Sequence, residues 1–378
     1  MTDKLRVAIA AGGTAGHINP ALALAEELDA RGHEVCFFGQ PTRLEATLVP
    51  QAGFAFETID VTGFDRSRPW TLVSALVKVR AAERVIGRRF AEEGAPDVAI
   101  GFGAYVELPL VNWCAHHGVP YLLHEQNGVP GLANKTSAKH AATVCISQEH
   151  ARAAFDGHIG PNTRVTVTGN PVRRAVIDAT REEGRSAFGV AEDETLLLVF
   201  GGSLGARHLN QGVTALKAEL LARPGLRVVH STGRDEHGSV MEALALTDEE
   251  QRRWQVLPYI DNMGAALAAA DLVLSRAGAS SIAEIAAKAA PSILVPYPFA
   301  TADHQTTNAR FLVDAGAAVL VSDDQIDSAV FPETLLGLVD DAEKRAAMRA
   351  AALGLGQDQA ALVLADEVER VAADSTAA

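Results

Sequence analysis

This chain of 378 residues is short of three things: cysteine, basic residues and long apolar runs. Its three cysteines, Cys36, Cys114 and Cys145, are too few and too scattered for a disulfide framework or a zinc site, and they fit a reducing cytosol. Lysine and arginine number 33 against 47 acidic residues, for a net charge of −14. That balance argues against a nucleic-acid partner, because phosphate contacts need clustered cations. The best apolar stretch, "AALAAADLVLS", is broken by Asp271, and no run of 18 apolar residues suggests a membrane span. The N-terminal "RVAIAA" meets glycines after six residues, too soon for a secretory signal. Contact with a membrane surface stays open on these grounds.

Several chemical fingerprints are missing too. The segment "AGGTAGHINP" (11–20) is a glycine-rich turn after a strand-like run, yet G-x-G-x-x-G fails on it. From Gly12 the required glycine positions hold Thr14 and His17, and from Gly13 they hold Ala15 and Ile18. The P-loop pattern fails as well, since the segment holds no lysine. No D-x-D follows a strand, which leaves a divalent-metal route to a nucleotide diphosphate without support. No G-x-S-x-G elbow or Cys-x-x-Cys pair suggests hydrolase or redox work. No cofactor and no metal site is implied.

What is present is an alternation of short β-branched runs with Ala/Leu/Glu-rich runs. "LRVAIAA" (5–11) reads as a strand, and "NPALALAEELDAR" (19–31) as a helix with Pro20 in its first turn. "EVCFFG", "DVAIGFG", "PYLLHEQN", "TVCIS" and "RVTVTGN" continue the strands. The plan restarts at "LLLVFGGSLGARHLNQGV" (196–213) and runs on through "LRVVHSTG", "WQVLPYI", "DLVLS" and "SILVPYPF". Strands alternating with helices imply a parallel sheet covered on both faces. Two glycine-turn units predict two Rossmann-like α/β domains, 1–172 and 173–355, with the hinge in "GNPVRRAVI" (169–177). The last helix, about 356–378, is expected to pack back on the first domain.

The unusual residues sit in the loops after strands, where open parallel sheets bind ligands. "GGTAGH" brings backbone N–H groups and His17 to one turn; His17 is either a site residue or a structural histidine at a helix start. "GGSLGA" (201–206) could set Ser203 and its amides against a pyrophosphate at a helix N-terminus. In "SRAGASSIAEI", Ser281 and Glu284 have capping-box spacing, and Glu284 could equally hold two ribose hydroxyls. "LLHEQN" sends His124, Glu125, Gln126 and Asn127 out of an apolar strand, into a site or a buried polar network. "DHQTTNA" (303–309) offers His304, Gln305 and Asn308 as partners for sugar hydroxyls. The segment 63–90 carries seven basic residues (Arg66, Arg68, Lys78, Arg80, Arg84, Arg88, Arg89) against Asp65 and Glu83, beside Trp70, Leu72, Leu76 and Val79. A basic amphipathic helix on an acidic protein reads as contact with an anionic bilayer, or as an ordinary solvated face.

Taken in order, "GGTAGHINPALALA", "HEQNGVPGLANK", "GNPVR", "GGSLGARHLN", "RAGASSIAEIAA" and "DHQTTNA" resemble the MurG family of bacterial UDP-N-acetylglucosamine transferases. The family usually has glycine where this chain has Ala15. The resemblance implies a GT-B fold with two domains facing each other across a cleft, the lipid acceptor bound by the first and the donor nucleotide sugar by the second. By motif, Thr14, Ala15 and Gly16 would approach the donor, and Asn127 its sugar. Arg173 and Ser203 would contact the pyrophosphate, and Ile260 would pack on the uracil. Ala279, Ser280, Ser281, Ile282, Ala283 and Glu284 would line the diphosphate and ribose, with Gln305 on the sugar. The implied reaction is metal-independent and inverting. GlcNAc passes from UDP-GlcNAc to the 4-hydroxyl of the MurNAc of lipid I, giving lipid II for peptidoglycan synthesis. The place implied is the cytoplasmic face of the cell membrane, as a peripheral protein. His17 is the first candidate for the general base and Glu125 the second. The alternatives are a transferase for another lipid or natural-product acceptor, an epimerase of similar fold, and a UDP-GlcNAc-binding membrane scaffold without turnover.

Overall fold

Short runs of Val, Ile, Leu and Phe that alternate between two apolar environments must be strands buried on both faces. In the computed structural model, which describes residues 4–63, 68, 70–202, 205–355 and 357–376, these runs build two wholly parallel sheets. The chain divides into two compact units, residues 1–173 with 359–378, and residues 174–358.

The first unit holds β1 (Arg6–Ala10), β2 (Glu34–Gly39), β3 (Ala55–Thr58), β4 (Val98–Gly101), β5 (Tyr121–Glu125), β6 (Thr143–Ile146) and β7 (Arg164–Val167), in the order β3-β2-β1-β4-β5-β6-β7. Strand β1 shows the division of labour: Val7 and Ile9 enter one core, Ala8 and Ala10 the other. The Val7 face is covered by α1 (Ala15–Ala30), through Ile18, Leu22, Ala25 and Leu28, and by the terminal helix Ala360–Thr376, through Leu364, Val368 and Val371. The terminal helix is further tied by Arg31 to Asp366 (2.7 Å) and by His33 Nε2 to Glu369 (2.9 Å). The short helix α2 (Glu45–Gln51) follows β2. On the opposite face, α3 (Thr71–Glu93) buries Ala75, Val79, Ala82, Ile86 and Phe90 at helical spacing, and α4 (Leu108–His117) buries Leu110, Val111 and Trp113.

The second unit repeats the plan with β8 (Thr195–Phe200), β9 (Leu226–Ser231), β10 (Trp254–Leu257), β11 (Leu272–Ser275), β12 (Ser292–Leu294) and β13 (Ala318–Leu320), in the order β10-β9-β8-β11-β12-β13. Leu196, Leu198 and Phe200 face one core, Leu197 and Val199 the other.

In each sheet the strand order reverses once, between β1 and β4 and between β8 and β11. Loops leaving the carboxyl ends at such a reversal run apart over opposite faces and leave a crevice for ligand. Both reversals here are flanked by the glycine-rich turns, since Ala10 pairs beside Gly101, and Phe200 beside Ser275.

Two details differ from the sequence expectation. Helix α1 begins at Ala15, not at Asn19, so Pro20 lies inside it and forgoes one ladder hydrogen bond. Strands β3 and β13 were not anticipated. Both are edge strands of four and three residues, too short to show a period. Ser203 lies outside the described residues, as do Arg66 and most of its neighbours in 64–69.

Candidate active site

In the first unit, Thr14 stands just before α1 with an extended backbone (φ −139°), and its Oγ1 lies 3.0 Å from His17 Nδ1. Gly13 has φ +86°, which only glycine adopts without strain, whereas Ala15 is an ordinary first helical residue. The methyl that replaces the family's usual glycine therefore meets no backbone obstacle. The turn is braced from below by Glu45, a fully buried carboxylate. Its Oε2 accepts the Gly13 N–H (3.1 Å), and its Oε1 accepts the Gln40 N–H (3.1 Å). A Cβ at Gly12 would collide with that carboxylate. The Gly13 amide is thus engaged within the protein and not left for an anion.

Across the strand reversal, Gly103 (φ +82°) follows β4. The place its Cβ would take is 3.3 Å from His17 Cδ2 and 3.5 Å from Asn134 Nδ2. Strand β5 then supplies the polar cluster. Glu125 is 2% exposed and accepts four hydrogen bonds: from Asn127 N (3.0 Å), Asn127 Nδ2 (3.3 Å), Gly131 N (2.9 Å) and Asn134 Nδ2 (2.8 Å). Burial raises its pKa and the hydrogen bonds oppose the rise. His124 is buried between Gly169 O (3.0 Å from Nε2) and the Gln126 amide (3.1 Å from Nδ1), and burial lowers its pKa to about 4. A neutral ring that donates from Nε2 satisfies both contacts. His124, Glu125 and Gln126 therefore form a buried network that shapes the loop 126–134, and Asn127 stands half-buried at its rim. This geometry makes Glu125 an organiser of the loop and disfavours it as a base. Arg173 belongs to the first unit, where Nε and Nη2 both bond Glu26 Oε1 (2.9 and 2.7 Å).

In the second unit, the turn after β8 carries Gly202 (φ +87°) and Gly205 (φ +76°). A Cβ at Gly205 would strike the Thr232 carbonyl, so the helix Arg207–Ala215 can begin this close to β9 only with glycine there. After β11, Gly278 is the N-cap of the helix Ala279–Ala287, and no side chain caps it. Ser281 is third in that helix and Glu284 sixth, so the capping box suggested by their spacing is not formed. The first amides of that helix, those of Ala279, Ser280 and Ser281, lie at the positive end of its dipole. Ile282 and Ala283 turn into the core (2% and 4% exposed), leaving only their backbone to a ligand. Ile260 does the same at 4%. Expected to pack on uracil, its side chain belongs instead to the core with Phe200 and Ile282, and the neighbouring Tyr259 is the exposed one.

Gln305 ties two strand ends together: its Oε1 accepts from Ala277 N (3.2 Å) and Tyr297 N (2.9 Å). Its amide nitrogen has no partner among the described residues. Arg276, 7% exposed, is pinned to the carbonyls of Val295 (3.2 Å) and Pro296 (3.1 Å) and to Asp323 (2.5 Å). Asp323 also meets His208 Nδ1 (2.8 Å), and Asp327 meets Nε2 (3.2 Å). The hydrogen bond to Asp323 and then that to Asp327 raise the His208 pKa. Sequence reasoning missed Glu45, Arg276, His208 and Asp323, whose roles rest on partners far away in the chain. Among the described residues, no group of three His, Cys, Asp or Glu could hold a metal ion.

Comparison with known proteins agrees with this architecture. Residues 7–146 match the glycosyltransferase family 28 N-terminal domain, and residues 196–367 its C-terminal domain. Two Rossmann-like units with glycine turns at both strand reversals are thus the frame of a family 28 glycosyltransferase. Over 376 residues, 98% of this chain and 100% of the relative, the sequence is 35% identical to the UDP-N-acetylglucosamine--N-acetylmuramyl-(pentapeptide) pyrophosphoryl-undecaprenol N-acetylglucosamine transferase of Halothermothrix orenii. The protein of that name from Moorella thermoacetica is 39% identical over 363 residues, 93% of this chain and 95% of the relative. The crystal structure of Acinetobacter baumannii MurG superposes with a TM-score of 0.73 at 28% identity, covering 97% of this chain and 99% of that one. The chain belongs to the MurG family of glycosyltransferases. The calicheamicin glycosyltransferase CalG4, at 18% identity and a TM-score of 0.68, shares the fold alone.

If Glu45 braces the first glycine turn, Glu45→Ala orphans the Gly13 and Gln40 amides. Stability should fall by about 1–3 kcal/mol per orphaned donor. Denaturant titration measures this, and an unchanged midpoint would show the brace to be dispensable.

Proposed function

We propose that this chain transfers GlcNAc from UDP-GlcNAc to the 4-hydroxyl of the MurNAc in lipid I, releasing UDP and giving lipid II. The observation that carries the reading is the content of the two strand reversals. A half-exposed histidine held by Thr14 beside Gly103 stands at one, and an uncapped helix start beside Gln305 at the other. Relatives of matching length that are named for this reaction support it.

In the mechanism we infer, the acceptor oxygen forms a bond to the anomeric carbon as the bond from that carbon to the UDP oxygen breaks, with inversion. The hydroxyl proton passes to His17. With Nδ1–H donated to Thr14 Oγ1, the Nε2 lone pair is the basic site of the ring. The leaving diphosphate gathers negative charge, which the amides of Ala279, Ser280 and Ser281 and the dipole of their helix stabilise. Glu284 accepts from the two ribose hydroxyls, and the amide nitrogen of Gln305 serves the sugar. Arg173 reaches the diphosphate by exchanging Glu26 for it. That ion pair is 36% and 24% exposed, so giving it up costs only about 0–1 kcal/mol.

The lipid acceptor requires a membrane surface. No helix of the described residues is long and apolar enough to cross one. The start of α3 presents Trp70, Leu72, Val73, Leu76 and Val77 to solvent, with Trp70 71% and Val73 67% exposed. Arg80, Arg84 and Arg88 stand exposed further along the same helix. An apolar patch rimmed by arginines fits shallow insertion into an anionic bilayer from the cytoplasmic side.

Labelled UDP-GlcNAc should transfer its sugar only when a lipid I analogue is added. Label released without acceptor, or bound without release, would refute the transferase reading. In that assay His17→Ala should lower kcat by about 10²–10⁴-fold, and normal turnover would exclude His17 as the base. Glu284→Ala should raise the KM for UDP-GlcNAc about ten- to hundredfold, the worth of hydrogen bonds to a charged group; an unchanged KM would remove the ribose role. Val73→Glu should weaken cosedimentation with phosphatidylglycerol vesicles at least about tenfold, with soluble turnover preserved. Equal binding would move the membrane contact elsewhere.

A further inference from the structure

Glu107 has no place in the mechanism above, and its surroundings are unusual. It stands immediately before α4, has no exposed surface, and points one carboxyl oxygen at the turn after β4. There Oε2 accepts the Gly103 N–H at 2.6 Å. The other oxygen, Oε1, is buried without any hydrogen-bond partner. Gly101 is what makes room for it, since a Cβ there would come within 2.5 Å of Oε2. Gly103 in turn, at φ +82°, lies against the edge of His17: the position of its absent Cβ is 3.3 Å from Cδ2 and 3.5 Å from Nε2 of the ring. The buried carboxyl therefore holds the backbone amide of a glycine that stands next to the imidazole.

We propose that Glu107 is a positioning residue for His17, holding the Gly103 turn against the imidazole through the Gly103 amide. It acts as the neutral acid. A buried carboxylate with one hydrogen bond and no cation is costly, and such a group keeps its proton. Burial pushes the Glu107 pKa up to about 8; the Gly103 hydrogen bond opposes the rise, and the Glu125 charge adds to it. The ionisable groups around it explain why no cation relieves this. Strand β5 contributes Tyr121 and Glu125, and α1 contributes His17. Of the helices packed on α4, α3 contributes Glu83, already bonded to Asn112 (3.0 Å), and the helix Leu132–Ser137 carries Lys135, which makes no hydrogen bond or ion pair to either Glu107 oxygen. Above pH 8 a second buried negative charge appears opposite Glu125, and the turn that backs His17 is pushed out of place.

The sign of the stability effect follows. The folded acid holds its proton up to about pH 8, whereas the unfolded chain releases it near the ordinary glutamic acid value of 4.5. The folded state thus binds more protons between these limits, so stability falls as pH rises from about 4.5 to about 8 and is level above. Glu107→Gln keeps an acceptor for the Gly103 amide and cannot ionise.

The experiment compares wild type and Glu107→Gln by urea titration, by NMR of the His17 ring, and by kcat, each from pH 5 to 9.5. Relative to wild type, Glu107→Gln should gain stability steadily up to about pH 8. The His17 Cε1 resonance should show a second inflection near pH 8 in wild type and none in the variant. Wild-type kcat should fall about tenfold from its plateau by pH 9, with KM little changed, while the variant stays level. The inference rests on His17 being the base only for the kcat arm; the stability and NMR arms need no turnover. An inflection at His17 without a fall in kcat would refute the role of His17 in the reaction and leave the contact chain standing. A stability difference with no inflection at His17 would overturn the positioning role, and parallel stability curves would overturn the neutral acid itself.

Discussion

A parallel strand covered on both faces has nowhere to offer chemistry except its ends, and both sheets of this chain obey that constraint. The side chains from Val7 to Ala10 of β1 and from Leu196 to Phe200 of β8 are each committed to one of two cores. Substrate can be met only where the chain leaves the sheet. At the single reversal in each strand order, two such exits stand side by side. The turn 11–14 then has the turn 102–106 as its neighbour, and the exit of β8 has the turn 276–278. The roles proposed for His17 and for the start of the helix Ala279–Ala287 follow from those two adjacencies.

Loops at strand ends lack the ladder that fixes a strand, so something else must hold their amides. In the first unit three buried glutamates do so. Glu45 holds Gly13 and Gln40, Glu107 holds Gly103, and Glu125 holds Asn127 and Gly131. Each is a side chain reaching backbone that the sheet cannot reach. In the second unit the neutral Gln305 and the ion-paired Arg276 fix the exits of β11 and β12 in the same manner. A carboxylate there would face the charge of a diphosphate, so an amide and a cation suit that unit better. In the proposed reaction the less buried Thr14, His17 and Asn127 meet substrate, while the buried glutamates that hold their turns do not.

This division explains what the sequence made legible. Glycine turns and apolar runs are local signals, and they located both sheets and the family. The start of α1 was misplaced because Pro20 is a strong local marker for a first turn, while Thr14 and its extended backbone are a weak one. Ser281 and Glu284 had the right spacing for a capping box, but Gly278 begins that helix three residues earlier. Ile260 is placed at the uracil only by the family resemblance, and its side chain lies in the core. Glu45 and Glu107 were invisible for a different reason. A glutamate near a helix start is ordinary, and only the fold brings Glu45 to an amide 32 positions away.

Charge raises the last question, since a protein with a net charge of −14 is asked to hold a nucleotide diphosphate. Net charge acts over a Debye length of about 8 Å in the cell, whereas the leaving group is bound at contact. At contact range the cations are already paired, Arg276 with Asp323 and Arg173 with Glu26. Arg276 is too buried to be released; its task is to hold the carbonyls of Val295 and Pro296, and so the strand exit beside Gly278. The field available to a diphosphate is therefore that of the helix Ala279–Ala287, whose dipole and amides need no counter-ion to be removed before they act. In the proposed reaction Arg173, a half-exposed cation with a weak partner in Glu26, would exchange that partner for the diphosphate, whereas the helix dipole needs no such exchange.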